Sequence, residues 1–166
     1  MTQITLLDGG MGQELIHRAG DRPTPLWSTQ VMIDHPGLVA DIHRDFTAAG
    51  ATVATTNTYA IHHDRFVGTD VDGQFLTLMK RARSEAAASN APCVAGAISP
   101  SCDLLICETV ASLDHARSVL AGATTTGKPV WLSITVDDTD GTKLRSGEAV
   151  ADILPIAAGK AAAILV

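Results

Sequence analysis

Several polar or flexible residues stand directly after short apolar runs of this sequence. They are Asp8, Gly9 and Gly10, then Asn57 and Tyr59, then Glu108 and Thr109. Two carboxylates that face one site can hold a cation through charge-assisted hydrogen bonds, and an aromatic face also attracts a cation. A glycine, which has no side chain, can offer its backbone N–H to an anion. These residue types predict a site for a small charged ligand, provided that the fold brings them together.

The elements that would position these residues follow a repeating pattern. Short apolar β-branched runs alternate with longer amphipathic segments, which is typical of βα units around a parallel sheet. The predicted strands are 4–7, 51–55, 93–98, 104–107, 130–136 and 162–166, and the predicted helices are 13–17, 36–49, 72–89, 113–123 and 147–158. Active sites of parallel α/β barrels lie at the carboxyl ends of the strands. We therefore expect the polar residues above to share one mouth.

The length of the chain does not match the number of units. About six βα units are visible in 166 residues, whereas a complete (β/α)8 TIM barrel has eight units in ~250 residues. The interval between strands 93–98 and 104–107 is also too short for the crossover of a dozen or more residues that parallel neighbours need. We expect residues 1–166 to form a single α/β barrel domain that is incomplete, lacking a crossover near Pro100 and Ser101 and the units after Val166.

Composition narrows the class of protein. The chain is 46% hydrophobic and 18% charged, with a net charge of -6 and no Lys/Arg cluster, so it can bury a core and is a poor partner for nucleic acid. No apolar run approaches the ~20 residues that span a bilayer, and the N-terminus has no signal-peptide pattern. We expect a cytoplasmic protein without a membrane partner.

Cysteine and histidine offer no metal motif. The three cysteines lack C-x-x-C spacing and are expected to be buried free thiols. The adjacent His62 and His63 have no H-E-x-x-H pattern around them and are expected at the surface. Among the helical histidines, His43 is expected to be solvated or half-buried and without a chemical role.

Three motifs together resemble the homocysteine S-methyltransferase family. They are Leu6-Leu7-Asp8-Gly9-Gly10-Met11-Gly12, Thr55-Thr56-Asn57-Thr58-Tyr59 and Asp103-Leu104-Leu105-Ile106-Cys107-Glu108-Thr109. The resemblance covers nearly the whole chain, including Trp27 and Ser146-Gly147. It implies a zinc-dependent (β/α)8 barrel that moves a methyl group from an onium donor, such as S-methylmethionine or betaine, to the thiol of homocysteine, giving methionine. Alternatives are a non-catalytic, degenerate barrel and the homocysteine module of a cobalamin-dependent methionine synthase.

The resemblance assigns substrate-binding roles to four residues. Asp8 and Glu108 match the residues that hold the homocysteine ammonium group, and Gly9 can donate its N–H to the homocysteine carboxylate. Asn57 either binds that carboxylate or stabilises its own turn. For Asp8, the competing interpretation is a local cap of the turn that follows.

Two aromatic residues match positions near the methyl donor. An aromatic face attracts a sulfonium or quaternary ammonium group by ~1 to 2 kcal/mol when it is desolvated. Tyr59 is assigned to this role, and Trp27 is either a donor-binding residue or a hydrophobic plug under a Pro-rich loop.

The resemblance also implies Zn2+, because a free thiol with a pKa near ~8.5 is mostly protonated at neutral pH. The family holds zinc with three cysteines, which would lie after Val166. Cys93, Cys102 and Cys107 are not expected to replace them, because Cys93 begins its strand and Cys107 ends another. The 166-residue chain alone is therefore expected to be inactive.

Overall fold

The computed structural model describes residues 5–22, 24–96 and 102–166. The chain divides into two compact units, an N-terminal unit of Met1–Cys102 and a C-terminal unit of Asp103–Val166. Each has its own strands, helices and core.

In the part of the N-terminal unit that the structure describes, there are two short parallel strands and five helices. In chain order they are α1 (Met11–Ala19), α2 (Ser28–Asp34), α3 (Leu38–Ala48), β1 (Val53–Thr55), α4 (His63–Phe66), α5 (Phe75–Ala87) and β2 (Cys93–Gly96). Val53 of β1 lies opposite Cys93 of β2. Leu7 makes an isolated parallel bridge to Val53, at the end of the predicted strand 4–7, whose first residue lies outside the described residues. The carboxyl end of that run therefore lies beside β1.

The core of this unit forms where α1, α3 and α5 pack together. The spacing of residues 38, 39, 42 and 46 predicts one apolar face on α3, and Val39 and Ile42 are fully buried there. Leu78, Met79 and Ala82 of α5 join the same cluster. The spacing also predicts an apolar stripe of residues 75, 76, 79 and 82 on α5, which is wrong for Leu76, since 68% of its surface is exposed.

The C-terminal unit contains three parallel strands in the order β3, β4, β5. Its elements are β3 (Leu104–Val110), α6 (Leu113–Ala123), a 3-10 turn (Thr124–Thr126), β4 (Val130–Ile134), a second 3-10 turn (Val150–Asp152), α7 (Ile153–Ala157) and β5 (Ala163–Leu165). Ser112 directly precedes the predicted helix 113–123, which predicts an N-cap. This prediction is confirmed, because the Ser112 hydroxyl accepts a hydrogen bond of 3.1 Å from the backbone N–H of His115.

Two stretches of helix differ from the sequence-based expectation. The predicted helix 147–158 shrinks to the 3-10 turn Val150–Asp152 and the five residues of α7. Pro155 lies in the first turn of α7, where a missing N–H costs least. Ala149, which was expected to be helical, forms an isolated antiparallel bridge with Lys143 instead. In the other direction, α2 forms where only a Pro-rich loop was expected, because Val31 and Met32 are buried in the core.

The expected α/β class with parallel strands is confirmed, whereas closure into a (β/α)8 barrel stays a prediction. The expected gap near Pro100 and Ser101 lies outside the described residues. In the described ranges, every helix is too short or too polar to cross a membrane.

Candidate functional site

Asp8 lies where the first predicted strand ends, as expected. Its backbone N–H donates to the carbonyl of Val53 at 3.0 Å, and its carboxylate Oδ2 accepts from the backbone N–H of Thr55 at 2.8 Å. Only 3% of the side chain is exposed. The carboxylate therefore reaches sideways to β1.

His43 approaches the same carboxylate, and the prediction that it is solvated or half-buried is wrong. Its side chain is fully buried, and its Nδ1 lies 3.2 Å from Oδ2 of Asp8. This contact does not have the geometry of a regular hydrogen bond. Neither ring nitrogen of His43 forms a hydrogen bond among the described residues. The sequence did carry a signal: His43 falls one position after Ile42 and four after Val39, on the apolar stripe of α3.

Gly9 packs against an aromatic ring. A Cβ at this position would lie 2.7 Å from Cε1 of Phe46, a distance that real Cβ atoms essentially never show. Any larger residue here would therefore have to displace the Phe46 ring, and donation from the N–H of Gly9 to a substrate carboxylate stays a prediction.

Trp27 and Tyr59 form an aromatic pair. Their ring centroids lie 6.2 Å apart with the planes at 79°, and Tyr59 is 43% exposed. The indole also lies so close to Gly12 that a Cβ there would be 2.4 Å from Cη2 of Trp27. Trp27 adopts φ 46 and ψ -125, a region in which L-residues are strained. The half-buried indole thus covers Gly12, as a plug would, and also contacts the residue predicted to meet the donor.

Asn57 is buried in the loop after β1. Only 4% of it is exposed, and its Nδ2 donates to the backbone carbonyl of Ser28 at 3.1 Å. This bond joins the loop to the first residue of α2, so the stabilising role is observed and the substrate role stays a prediction.

Glu108 lies inside β3 and not after its end, so the predicted end of that strand at Cys107 is wrong. The pairing of β3 with β4 shifts register between Cys107 and Val110. Thr109 has φ 55, which is unusual for a β-branched residue. Such an irregularity lets a strand continue past a kink and re-aims its side chains. Glu108 is half-buried at this bulge, and its contact with homocysteine stays a prediction.

The residues present do not fit a zinc ion. Across the described ranges, no three His, Cys, Asp or Glu side chains come together to hold a metal. Cys93 and Cys107 are half-buried and Cys102 is buried, and all three are free thiols. Burial also raises the pKa of the Cys107 thiol, which disfavours the thiolate form that ligates zinc.

The sequence is similar to those of known methyltransferases. Homocysteine S-methyltransferase of Escherichia coli K12 is 25% identical over 205 aligned positions, which cover 94% of this chain and 66% of the relative. Homocysteine S-methyltransferase 3 of Zea mays is 37% identical over 54 residues, covering 32% of this chain and 16% of the relative. The chain therefore spans less than two thirds of the length of either relative.

The fold is also similar to a solved structure. The metallated form of the homocysteine methyltransferase MmuM from Escherichia coli matches with a TM-score of 0.85 and 23% identity, over 98% of this chain and 74% of that chain. This likeness concerns the fold.

The family model of the homocysteine S-methyltransferases matches residues 5–101 and 82–166 of this chain. The first stretch contains Asp8 and Asn57, and the second contains the bulge at Glu108. The chain belongs to the homocysteine S-methyltransferase family.

Proposed function

We propose that the protein transfers a methyl group from an onium donor, such as S-methylmethionine or betaine, to the thiol of homocysteine, giving methionine. The observation that carries this proposal is the Asp8 carboxylate. This carboxylate is almost completely buried beside β1, and its Oδ2 accepts a hydrogen bond from the backbone N–H of Thr55. No described residue bonds Oδ1, so this oxygen is available to accept from the ammonium group of an amino acid.

The other assigned residues complete the binding of homocysteine in this proposal. Glu108 supplies the second carboxylate for the ammonium group, since two negative charges favour a cation more than one does. The backbone N–H of Gly9 donates to the homocysteine carboxylate. Asn57 holds the neighbouring loop through Ser28 and has amide capacity left for the same carboxylate.

The methyl donor binds at the aromatic pair. Trp27 and Tyr59 present two ring surfaces at nearly right angles, and the exposed part of Tyr59 lets a ligand reach them from solvent. A sulfonium or quaternary ammonium group is attracted to such faces. The homocysteine thiol loses its proton, its sulfur forms a bond to the donor methyl carbon, and the onium–methyl bond breaks. The donor leaves as a neutral sulfide or amine that keeps the electron pair, so orientation of the two ligands is the main task of these residues.

Zinc is the remaining requirement of this proposal. The family resemblance implies a zinc ion that would keep homocysteine in its thiolate form near neutral pH. The family resemblance places its three cysteine ligands after Val166. The 166 residues are therefore expected to bind homocysteine and the donor without turning them over.

Calorimetric titration of L-homocysteine into the reduced chain tests the proposal. The expected result is saturable binding that Asp8→Asn weakens about tenfold or more, because a charge-assisted hydrogen bond is lost. Asp64→Asn, which changes an exposed carboxylate on α4, is the matched control and should leave the affinity unchanged. Absence of binding by the folded chain, or equal effects of the two substitutions, would overturn the proposal.

A further inference from the structure

His43 is a buried polar group with no conventional partner. Its ring is fully buried, and neither Nδ1 nor Nε2 makes a regular hydrogen bond among the described residues. Burying a polar group in this way costs free energy unless something compensates. Among the described residues, the one carboxylate within ion-pair distance is that of Asp8, whose Oδ2 lies 3.2 Å from Nδ1.

The two groups that hold Asp8 meet at a single oxygen. The backbone N–H of Thr55 donates to Oδ2 at 2.8 Å, and Nδ1 of His43 approaches Oδ2 from α3. The hydrogen bond from Thr55 and the close contact with the His43 ring at the same oxygen restrict rotation of the carboxylate about its terminal bond. The other oxygen, Oδ1, is thereby kept in one direction.

We propose that His43 is a positioning residue for Asp8, in which a neutral ring with its proton on Nδ1 donates to Oδ2 and aims Oδ1 at the ligand. The role given to Oδ1 rests on the proposed function, whereas the contact with Oδ2 does not.

The assignment of the proton to Nδ1 follows from burial. A proton on Nε2, in either the other neutral tautomer or the imidazolium, would be a buried donor with no described acceptor, which costs free energy. An imidazolium would also neutralise Asp8 and compete with the ligand's ammonium group. A neutral ring that donates from Nδ1 orients Asp8 and leaves its negative charge in place.

The first experiment measures the ring itself and needs no ligand. In the 15N-histidine-labelled chain at pH 7.5, long-range 1H–15N correlation is expected to show His43 as the Nδ1–H tautomer. Asp8→Ala is expected to remove this preference, because the acceptor is gone. A parent ring that carries a proton on Nε2, or a tautomer unchanged by Asp8→Ala, would overturn the proposal.

The second experiment measures the consequence for binding. His43→Asn keeps a donor close to the Nδ1 position, whereas His43→Leu removes the donor and keeps the size. We expect His43→Leu to weaken L-homocysteine binding about tenfold, as for loss of a hydrogen bond to a charged group, and His43→Asn to restore most of that loss. Leu78→Ala, which truncates the same core on α5, is the control for destabilisation alone and should leave the affinity unchanged.

A double-substitution cycle then separates positioning from general packing. If His43 acts through the Asp8 carboxylate, His43→Leu should cause no further loss of affinity in the Asp8→Asn background. An undiminished loss there, or equal losses from His43→Leu and His43→Asn, would overturn the proposal. If the parent chain binds no homocysteine, the proposed function fails and the tautomer measurement alone decides whether His43 holds Asp8.

Discussion

The ring of Tyr59 meets the ring of Trp27 edge to face, with 6.2 Å between the centroids. Such pairs are stabilised by the contact of a positive ring edge with a negative ring face. Part of the tyrosine remains exposed, so a cation can add to the pair from solvent.

Tyr59→Leu is expected to weaken binding of an onium ligand because it removes one aromatic face. A cation–π contribution of ~1 to 2 kcal/mol corresponds to a loss of roughly five- to thirtyfold in affinity. Tyr59→Phe keeps the face and is the matched control. Titration with S-methylmethionine and with tetramethylammonium measures both, and equal affinities of the Leu and Phe variants would contradict the assignment.

Gly12→Ala is expected to destabilise the fold, since its Cβ would lie 2.4 Å from the indole of Trp27 and must displace it. Overpacking of this kind costs about 1 to 3 kcal/mol of unfolding free energy. Gly10→Ala is the matched control on the same segment, because nothing lies within 4 Å of its Cβ position and its φ of -67 suits alanine. Urea denaturation followed by circular dichroism compares them, and similar midpoints would disprove the close contact.

Glu108→Gln is expected to reduce homocysteine affinity about ten- to hundredfold, because the amide keeps the shape and loses the charge. Folding should change little, since the residue is only half-buried at the bulge of β3. Calorimetry and thermal unfolding of the same sample distinguish the two effects. Normal affinity combined with a lower melting temperature would make Glu108 a structural residue.

Glu148→Gln is expected to reduce the loss of stability that the fold shows as pH falls into the acid range. The Ser146 hydroxyl and the backbone N–H of Leu113 both donate to the Glu148 carboxylate and lower its pKa below the usual value. A carboxylate with a lowered pKa stabilises the fold above its unfolded-state pKa, and this stability is lost as pH falls through the folded-state pKa. Melting temperatures from about pH 6 down to about pH 3 test this window.

Ser146→Ala is the partial version of the same test, because it removes the larger cause of the lowered pKa. Its melting curve against pH should lie between those of the parent and of Glu148→Gln. A parent and a Glu148→Gln variant that lose stability in parallel over this range would rule out the contribution of this carboxylate.

Zinc retention by the 166-residue chain is expected to fall well below one ion per chain. No described cluster of side chains offers three ligands, and a raised pKa keeps the Cys107 thiol protonated. Release of metal into a chromophoric chelator after denaturation measures the stoichiometry. Retention of about one ion against a competing chelator would show that the chain assembles a zinc site of its own.

Position in the sequence predicted Asp8 well and His43 poorly, for one physical reason. Asp8 follows a short apolar run, and the local pattern predicts its place beside a neighbouring strand, where Leu7 makes a parallel bridge to Val53. A histidine in an amphipathic helix can lie on either the buried or the exposed face, so the pattern does not fix its burial. The partner of His43 is Asp8, which is 35 positions away in sequence. Burial on the stripe beside Ile42 was visible in the spacing, but the contact with Asp8 depends on how α3 packs.

The bulge at Glu108 and Thr109 lay beyond prediction, because register depends on the partner strand. A run of apolar residues up to Cys107 predicts where β3 begins, and it does not reveal that pairing with β4 resumes at Val110. Helix α2 was likewise not predicted, because the Pro-rich composition before Trp27 indicated a loop. Burial of Val31 and Met32 in the tertiary core stabilises this helix.

The backbone of Trp27, at φ 46 and ψ -125, suits glycine better than tryptophan. Glycine there would relax the chain and would also strip the cover from Gly12 and the partner from Tyr59. A display library randomised at this one codon would therefore separate two kinds of selection. Selection for capture of an onium ligand should recover aromatic residues at position 27, whereas selection for relaxed backbone geometry alone should recover glycine. The residue recovered at position 27 therefore shows which of the two requirements was selected.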